Sequence, residues 1–148
     1  MKHAWLTFRR HDRGTALIEM ALTLPLMLLV SAGIVEFGRA YQTWQVVTNA
    51  TREGARIAVL PGVDDTSVTT RVRTYLSDGQ LPNYSTATVT IARDATIAIG
   101  AGTASASRVT VNYPFTFMVL QPLATLVDPH STAGAPLTMT VSALMRNE

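Results

Sequence analysis

No charged residue occurs between Met20 and Val35, and Leu, Val, Ile and Met dominate that stretch. Counted from Thr15, it is long enough to cross a hydrocarbon core as a helix, which takes roughly 20 residues. One residue complicates the reading. Glu19 sits inside the segment, where a lone carboxylate costs on the order of 2.5–3.5 kcal/mol by insertion scales. A plain anchor gains nothing from such a group, so the carboxylate needs a separate reason.

The charge around the segment is uneven. Residues 1–14 carry Lys2, Arg9, Arg10 and Arg13 against Asp12, a net +3, while the remainder carries −1. The basic pI thus reflects the first residues and gives no argument for nucleic acid. Positive residues on the N-terminal side of an apolar segment place that end in the cytoplasm and the rest outside. At 148 residues, the chain has room for one membrane helix and one small domain. It has no Cys, so disulfides, zinc thiolates and redox motifs are excluded.

The order of parts is basic leader, Gly14, Thr15, then an apolar helix with Glu19 fifth after Gly14. It resembles the processing site of type IV prepilins. The resemblance implies a cut after Gly14 by a prepilin peptidase, which would leave Thr15 as the new amino terminus. It also implies that Glu19 pairs with the terminal amine of a neighbouring subunit during assembly. An amine and a carboxylate held in low dielectric offset each other's desolvation, so the pairing is physically consistent. Thr15 and Met20 stand where that pattern often has aromatics. A secretory signal peptide competes for the same residues, with Val30-Ser31-Ala32 as a small-residue cleavage pattern. That alternative has no use for Glu19 or Pro25.

Pro25 lies within the helix, where it removes a backbone hydrogen bond and can bend the axis. Beyond Val35, a stripe through Phe37, Tyr41, Trp44, Thr48, Thr51, Ala55 and Ala58 advances in steps of four and three. That spacing predicts a continuing helix with one packed face, widened by Ala40, Val47 and Gly54. Phe37, Tyr41, Trp44, Gly54 and Ala55 are its expected packing residues. Tyr41 and Trp44 are expected in a seam against the globular part, with a place at the membrane interface as the alternative. Pro61-Gly62 ends the helix. From Thr15 to Leu60 it would be about 69 Å long, so residues 36–60 must project beyond a span at 15–35.

Two motifs lie on this helix: Gly33-Ile34-Val35-Glu36-Phe37-Gly38-Arg39-Ala40-Tyr41, then Thr48-Asn49-Ala50-Thr51-Arg52-Glu53-Gly54-Ala55-Arg56. Together they resemble the TadE-like family of the Tad (Flp) pilus system, and the C-terminal Ala143-Leu144-Met145-Arg146-Asn147-Glu148 resembles the family's ending. The resemblance implies a minor pilin or pseudopilin in the cytoplasmic membrane, with its C-terminal part outside. Its implied partners are the prepilin peptidase, other Tad pilins, the pilus assembly platform and membrane lipid.

Residues 61–148 predict a small α+β head. Val68, Val72, Tyr75 and Leu76 mark a short helix, capped by Asp65 or Thr66 and ended at Gly79. Three segments alternate with period two, as half-buried antiparallel strands do. Their apolar faces are Ala87, Val89 and Ile91; then Val109, Val111, Tyr113, Phe115 and Phe117; then Leu137, Met139, Val141, Ala143 and Met145. Pro114 should lie at an edge or a bulge. Ala95 to Ser107 reads as a small-residue connection, with room for a short fourth strand at Ile97 to Ile99. Met118 to Leu126 reads as a helical turn covering the sheet, and Asp128 to Pro136 as a loop.

Chemistry-bearing patterns are few. Beyond the leader only His130 remains, in a Pro-containing loop. No metal-spaced cluster, phosphate loop or nucleophile motif is present, so no cofactor, metal or catalytic role is expected. Asp64-Asp65 suits a helix cap better than a calcium site. Asn49-Ala50-Thr51 and Asn83-Tyr84-Ser85 match the glycosylation pattern, which short stretches often do by chance. Two other readings stay open: an uncleaved, membrane-tethered binding module, and a domain released after Ala32.

Overall fold

The computed structural model describes residues 12–100 and 102–147, so residues 1–11 of the expected leader and Glu148 lie outside the described residues. The chain divides into two compact units, Met1–Val35 and Glu36–Glu148. One helix, α1 (Asp12–Ala58), contributes to both.

In the first unit, the side chains of α1 from Gly14 to Ser31 are all exposed. This is a helix long and apolar enough to cross a membrane by length and composition. Pro25 lies within it without ending it. The Thr23 hydroxyl donates to the Glu19 backbone carbonyl at 2.9 Å, one turn back.

The second unit begins at Glu36, so the distal half of α1 lies in the same compact unit as the elements that follow it. Helix α2 (Asp65–Asp78) follows, and its N-cap is Asp64. The Asp64 carboxylate accepts from the Ser67 backbone N–H at 3.1 Å. The cap is thus neither Asp65 nor Thr66. An extended residue just ahead of the first turn can aim its side chain at that orphan donor, whereas residues already in the helix cannot. Gly79 closes α2 with an ordinary negative φ. Its role is contact, because a Cβ there would collide with Val46 Cγ1.

After a short 3-10 turn (Tyr84–Thr86), β1 (Thr88–Ile99) and β2 (Gly102–Phe115) pair antiparallel, and β3 (Leu137–Arg146) pairs with β2 on its other side. The register aligns the apolar positions across the sheet. Val109 faces Ile91 and Ala143, and Val111 faces Val89 and Val141. Tyr113 faces Met139. On the opposite face, the Thr110 and Ser142 hydroxyls meet at 3.1 Å and Thr140 donates to Asn112 at 2.8 Å.

The stretch from Ala95 to Ser107 is not a connection. It forms the second half of β1 and the first half of β2, joined by a tight turn with Gly100 at φ +57°. Ala, Ser and Thr give little hydrophobic contrast from face to face, which hides the strand period in the sequence. The separate short strand expected at Ile97 to Ile99 is the end of β1, and the sheet has three strands. Pro114 lies on the central strand beyond the end of β1, which pairs only as far as Thr88 with Asn112. Its missing N–H therefore removes no ladder bond on that side.

The core joins Val47, Ala50, Ala55 and Ala58 of α1, Val68, Val72 and Leu76 of α2, and the inner face of the sheet. Burying each Val side chain contributes roughly 1.5–3 kcal/mol. Helix α3 (Leu120–Val127) does not cover the sheet as expected. Among the described residues none of α3 joins the core, and Leu123 is exposed, as are Met118 and Val119 just ahead of the helix.

Candidate functional site

In the first unit, Gly14, Thr15 and Glu19 lie on exposed turns of α1. Gly14 lies within α1, and a Cβ there would meet nothing within 4 Å.

The charged residues of the first motif do different work. Glu36 is only 3% exposed, and its partners come from a distant part of the chain. Its Oε2 accepts from the backbone N–H of Val119 at 2.7 Å and of Leu120 at 3.2 Å. Those groups begin α3, and Val119 at the N-cap position makes no side-chain cap of its own. Glu36 therefore caps α3 from another helix, supplying the acceptor and negative charge that a helix N-terminus needs. Its Oε1 accepts from the Arg39 guanidinium at 2.6 Å. Arg39 also donates to the Thr116 carbonyl at 2.6 Å and lies over the Phe115 ring, 4.8 Å from its centre. Phe115 in turn meets Phe117 edge to face at 5.1 Å. Burial pushes the Glu36 carboxyl up, but the hydrogen bonds from Arg39, Val119, Met118 and Leu120 outweigh it and hold the pKa at about 2.

The second motif fastens α1 to α2. Glu53 accepts from Arg56 at 2.9 Å and from Arg71 of α2 at 3.0 Å. The Arg56 hydrogen bond, with Arg71 assisting against desolvation, holds the Glu53 carboxyl at about 2. Gly54 is a contact point between the helices, since a Cβ there would lie 2.5 Å from Val72 Cγ2. Ala55 is fully buried beside it.

Phe37, Tyr41 and Trp44 do not form the seam against the head. They are 67%, 66% and 43% exposed. The packed face keeps Ala40, Val47, Thr51, Gly54, Ala55 and Ala58 of the expected one, with Glu36, Thr43 and Ala50 in place of the three aromatics. From Glu36 through Ala40, Thr43, Val47 and Ala50 the packed row also advances by fours and threes, so spacing permits both stripes at this end of the face. The close approach of α2 and the sheet selects the one with small side chains, and large aromatics would hold the elements apart.

One further residue was not legible from the sequence. A β-bulge between Ala92 and Ala95 re-aims Arg93. Its guanidinium donates to the Ala58 carbonyl at 2.7 Å, to the Val63 carbonyl at 2.8 Å and to Asp65 at 2.8 Å. It thereby satisfies the C-terminal end of α1 and clamps the turn into α2. For Glu36 the sequence did hold a signal: no Ser, Thr, Asp or Asn precedes α3 at Phe117-Met118-Val119, so its cap has to come from elsewhere. His130 lies exposed in the loop before β3, where its backbone N–H donates to Asp128 at 3.0 Å.

The stretch that holds the apolar run, Glu19, both motifs and the buried face of α1 matches a known family. The family model described as TadE-like protein matches residues 14–56. This is the family that the two motifs resemble. No curated protein and no solved structure shows a significant match to the chain.

Proposed function

We propose that the protein is a TadE-like minor pilin or pseudopilin that takes part in assembling, initiating or capping a Tad pilus. The observation that carries this reading is the family match over 14–56, which opens at Gly14 and includes Glu19 and both motifs. Residues 15–35 span the cytoplasmic membrane, with the N-terminus in the cytoplasm and the head outside. The protein is a substrate of the prepilin peptidase, cut after Gly14, and is not itself an enzyme. Glu19 then pairs with the Thr15 amine of a neighbouring pilin. Phe37, Tyr41 and Trp44, left exposed by the head's own packing, supply an apolar face for those neighbours.

Determining the N-terminal residue of the mature protein from cells that contain the peptidase tests this reading. Thr15 is expected. Met1 would instead indicate an uncleaved membrane-tethered module, and Gly33 a domain released after Ala32. Either result overturns the pilin assignment.

A further inference from the structure

We propose that the free edge of β3, with the flank of α1 beside it, takes up an extended, carboxylate-bearing segment of another protein as an added strand. The two edges of the sheet differ. On β1 the register shifts between Ala92 and Ala95, and the charged Arg93 and Asp94 stand at that bulge. Arg93 also ties this edge to the turn between α1 and α2 through the Ala58 and Val63 carbonyls. Bulges, charges and covering loops are the devices that stop an edge from pairing with other chains. β3 has none of them. Leu137–Arg146 pairs with β2 in an unbroken register, contains no proline and carries no charge before Arg146. Among the described residues, no strand pairs with its outer side. A regular edge of this kind presents a row of unpaired N–H and C=O groups, and an extended chain is the conformation that satisfies such a row.

The groove along this edge defines what the added strand carries. Its volume is about 340 Å³, and it is lined by Thr48 and Arg52 of α1 and by residues 141–145 of β3. Val141, Ala143 and Met145 are half-buried at the rim of the core, so a strand laid beside them would complete their cover. Arg52 is exposed and makes no hydrogen bond or ion pair among the described residues, whereas its neighbour Glu53 is bound by two arginines. A free guanidinium next to a strand edge suits a carboxylate on the incoming chain. Trp44, Thr48 and Arg52 follow one another at four-residue steps and so share one flank of α1. From Trp44 to Arg52 is about 12 Å along the helix, or about four residues of a strand. That spacing is even, so an apolar residue and a carboxylate four apart on the added strand both face α1. A second copy of β3 fits less well, because it has no acidic residue to offer Arg52 and its only charge is Arg146.

The proposal concerns the head alone and stands whether or not residues 15–35 span a membrane. Its test uses the full chain in detergent and a fluorescein-labelled peptide, Ser-Leu-Thr-Val-Thr-Glu-Ser, synthesised in both chain directions and followed by fluorescence anisotropy. Saturable binding is expected in one direction. Gln in place of the peptide's Glu should weaken binding about fivefold, Arg52→Gln in the protein should do the same, and the two together should cost no more than either. Only alternate amides of an added strand face the edge, so backbone N-methylation of one alternate set should abolish binding and of the other set should spare it. Absence of saturable binding in both directions overturns the proposal. Binding that survives both methylations overturns it as well, since side chains alone would then carry the contact. Undiminished affinity in both the Arg52→Gln protein and the Gln peptide removes the carboxylate from it. The chain has no Cys, so a single Ser142→Cys variant reports on self-pairing. Efficient disulfide dimers of that variant without peptide would show that a second copy covers the edge, and would likewise overturn the proposal.

Discussion

Replacing Glu36 with Ala tests whether the first motif holds the head together. The change removes the acceptor for two α3 amides and for the Arg39 guanidinium. A lost N-cap costs about 1 kcal/mol, and a hydrogen bond to a charged group is worth about 1.5–3 kcal/mol. Val119 is exposed, so the freed amides regain water, and Arg39 keeps its bond to Thr116 and its place over Phe115. These compensations bring the expected loss to about 2 kcal/mol, or about 8 °C in Tm for a domain of roughly 100 residues. The assay is thermal unfolding of the full chain in detergent, with hydrogen exchange read at the Val119 and Leu120 amides. Gln42→Ala, at an exposed position on α1, serves as the control. An unchanged Tm with both amides still protected would falsify the capping role.

The acid dependence of the same residue gives a second readout. The folded pKa of Glu36 is about 2, below its usual 4.5. A depressed carboxyl contributes stability that is fully present above the unfolded value and lost as pH falls through the folded one. The wild-type head should therefore weaken between about pH 4.5 and pH 2, with Glu53 contributing in the same window. Glu36→Gln should be less stable than wild type at pH 7, and the gap should narrow as the pH approaches 2. A gap that is constant with pH would mean that the charge of Glu36 does not carry the effect.

Other changes test the remaining contacts. Gly54→Ala should destabilise the head by about 1–3 kcal/mol through overpacking against Val72, although Ala is normally the better helix former. Gly38→Ala, where a Cβ meets nothing within 4 Å, should be neutral or stabilising, and equal effects in a melting comparison would refute the close-approach argument. Val111→Asp should unfold the head while Thr110→Asp does little, because Val111 is fully buried and Thr110 lies on the outward face; similar denaturation midpoints would reverse the face assignment. On the proposed pilin reading, Glu19→Gln should preserve insertion and the proposed cleavage after Gly14 but reduce co-purification with partner pilins, since it would remove the proposed amine–carboxylate attraction, which low dielectric strengthens. Undiminished co-purification would leave the pairing role without support.

The sequence made some elements legible and others not, for identifiable reasons. The long helix, α2 and the inner faces of β2 and β3 could be read because their apolar residues contrast with polar neighbours at a regular period. The β1–β2 hairpin could not, because Ala, Ser and Thr at positions 103–107 give the period no contrast. On α1 two stripes share the same spacing, and the aromatic one carried the larger hydrophobic signal. Which stripe packs depends on how closely α2 approaches at Gly54, a tertiary fact that no window of α1 contains. Glu36 and Arg93 escaped for a related reason: each bonds to backbone groups far along the chain.

That last feature bears on why the family match is confined to residues 14–56 although the head is much longer. Glu36 binds the amides of Val119 and Leu120, and Arg39 binds the carbonyl of Thr116. Backbone groups are the same whatever side chain is attached, so these contacts constrain the path of the chain around 116–120 but not its sequence. Gly54 likewise requires only that α2 present some side chain small enough to fit at the crossing. The strands ask still less, since any period-two alternation in the right register can fill their inner faces. Glu53 and Arg39 do reach particular side chains beyond the motifs, Arg71 and Phe115, but the Glu53–Arg71 pair is partly solvent-exposed, where ion pairs contribute little, and any aromatic ring would serve under Arg39. Chemical identity is therefore concentrated on α1, while the head needs mainly geometry. A head that docks through backbone can change its outer surface freely, with the helix that bears Gly14, Glu19 and both motifs left unaltered.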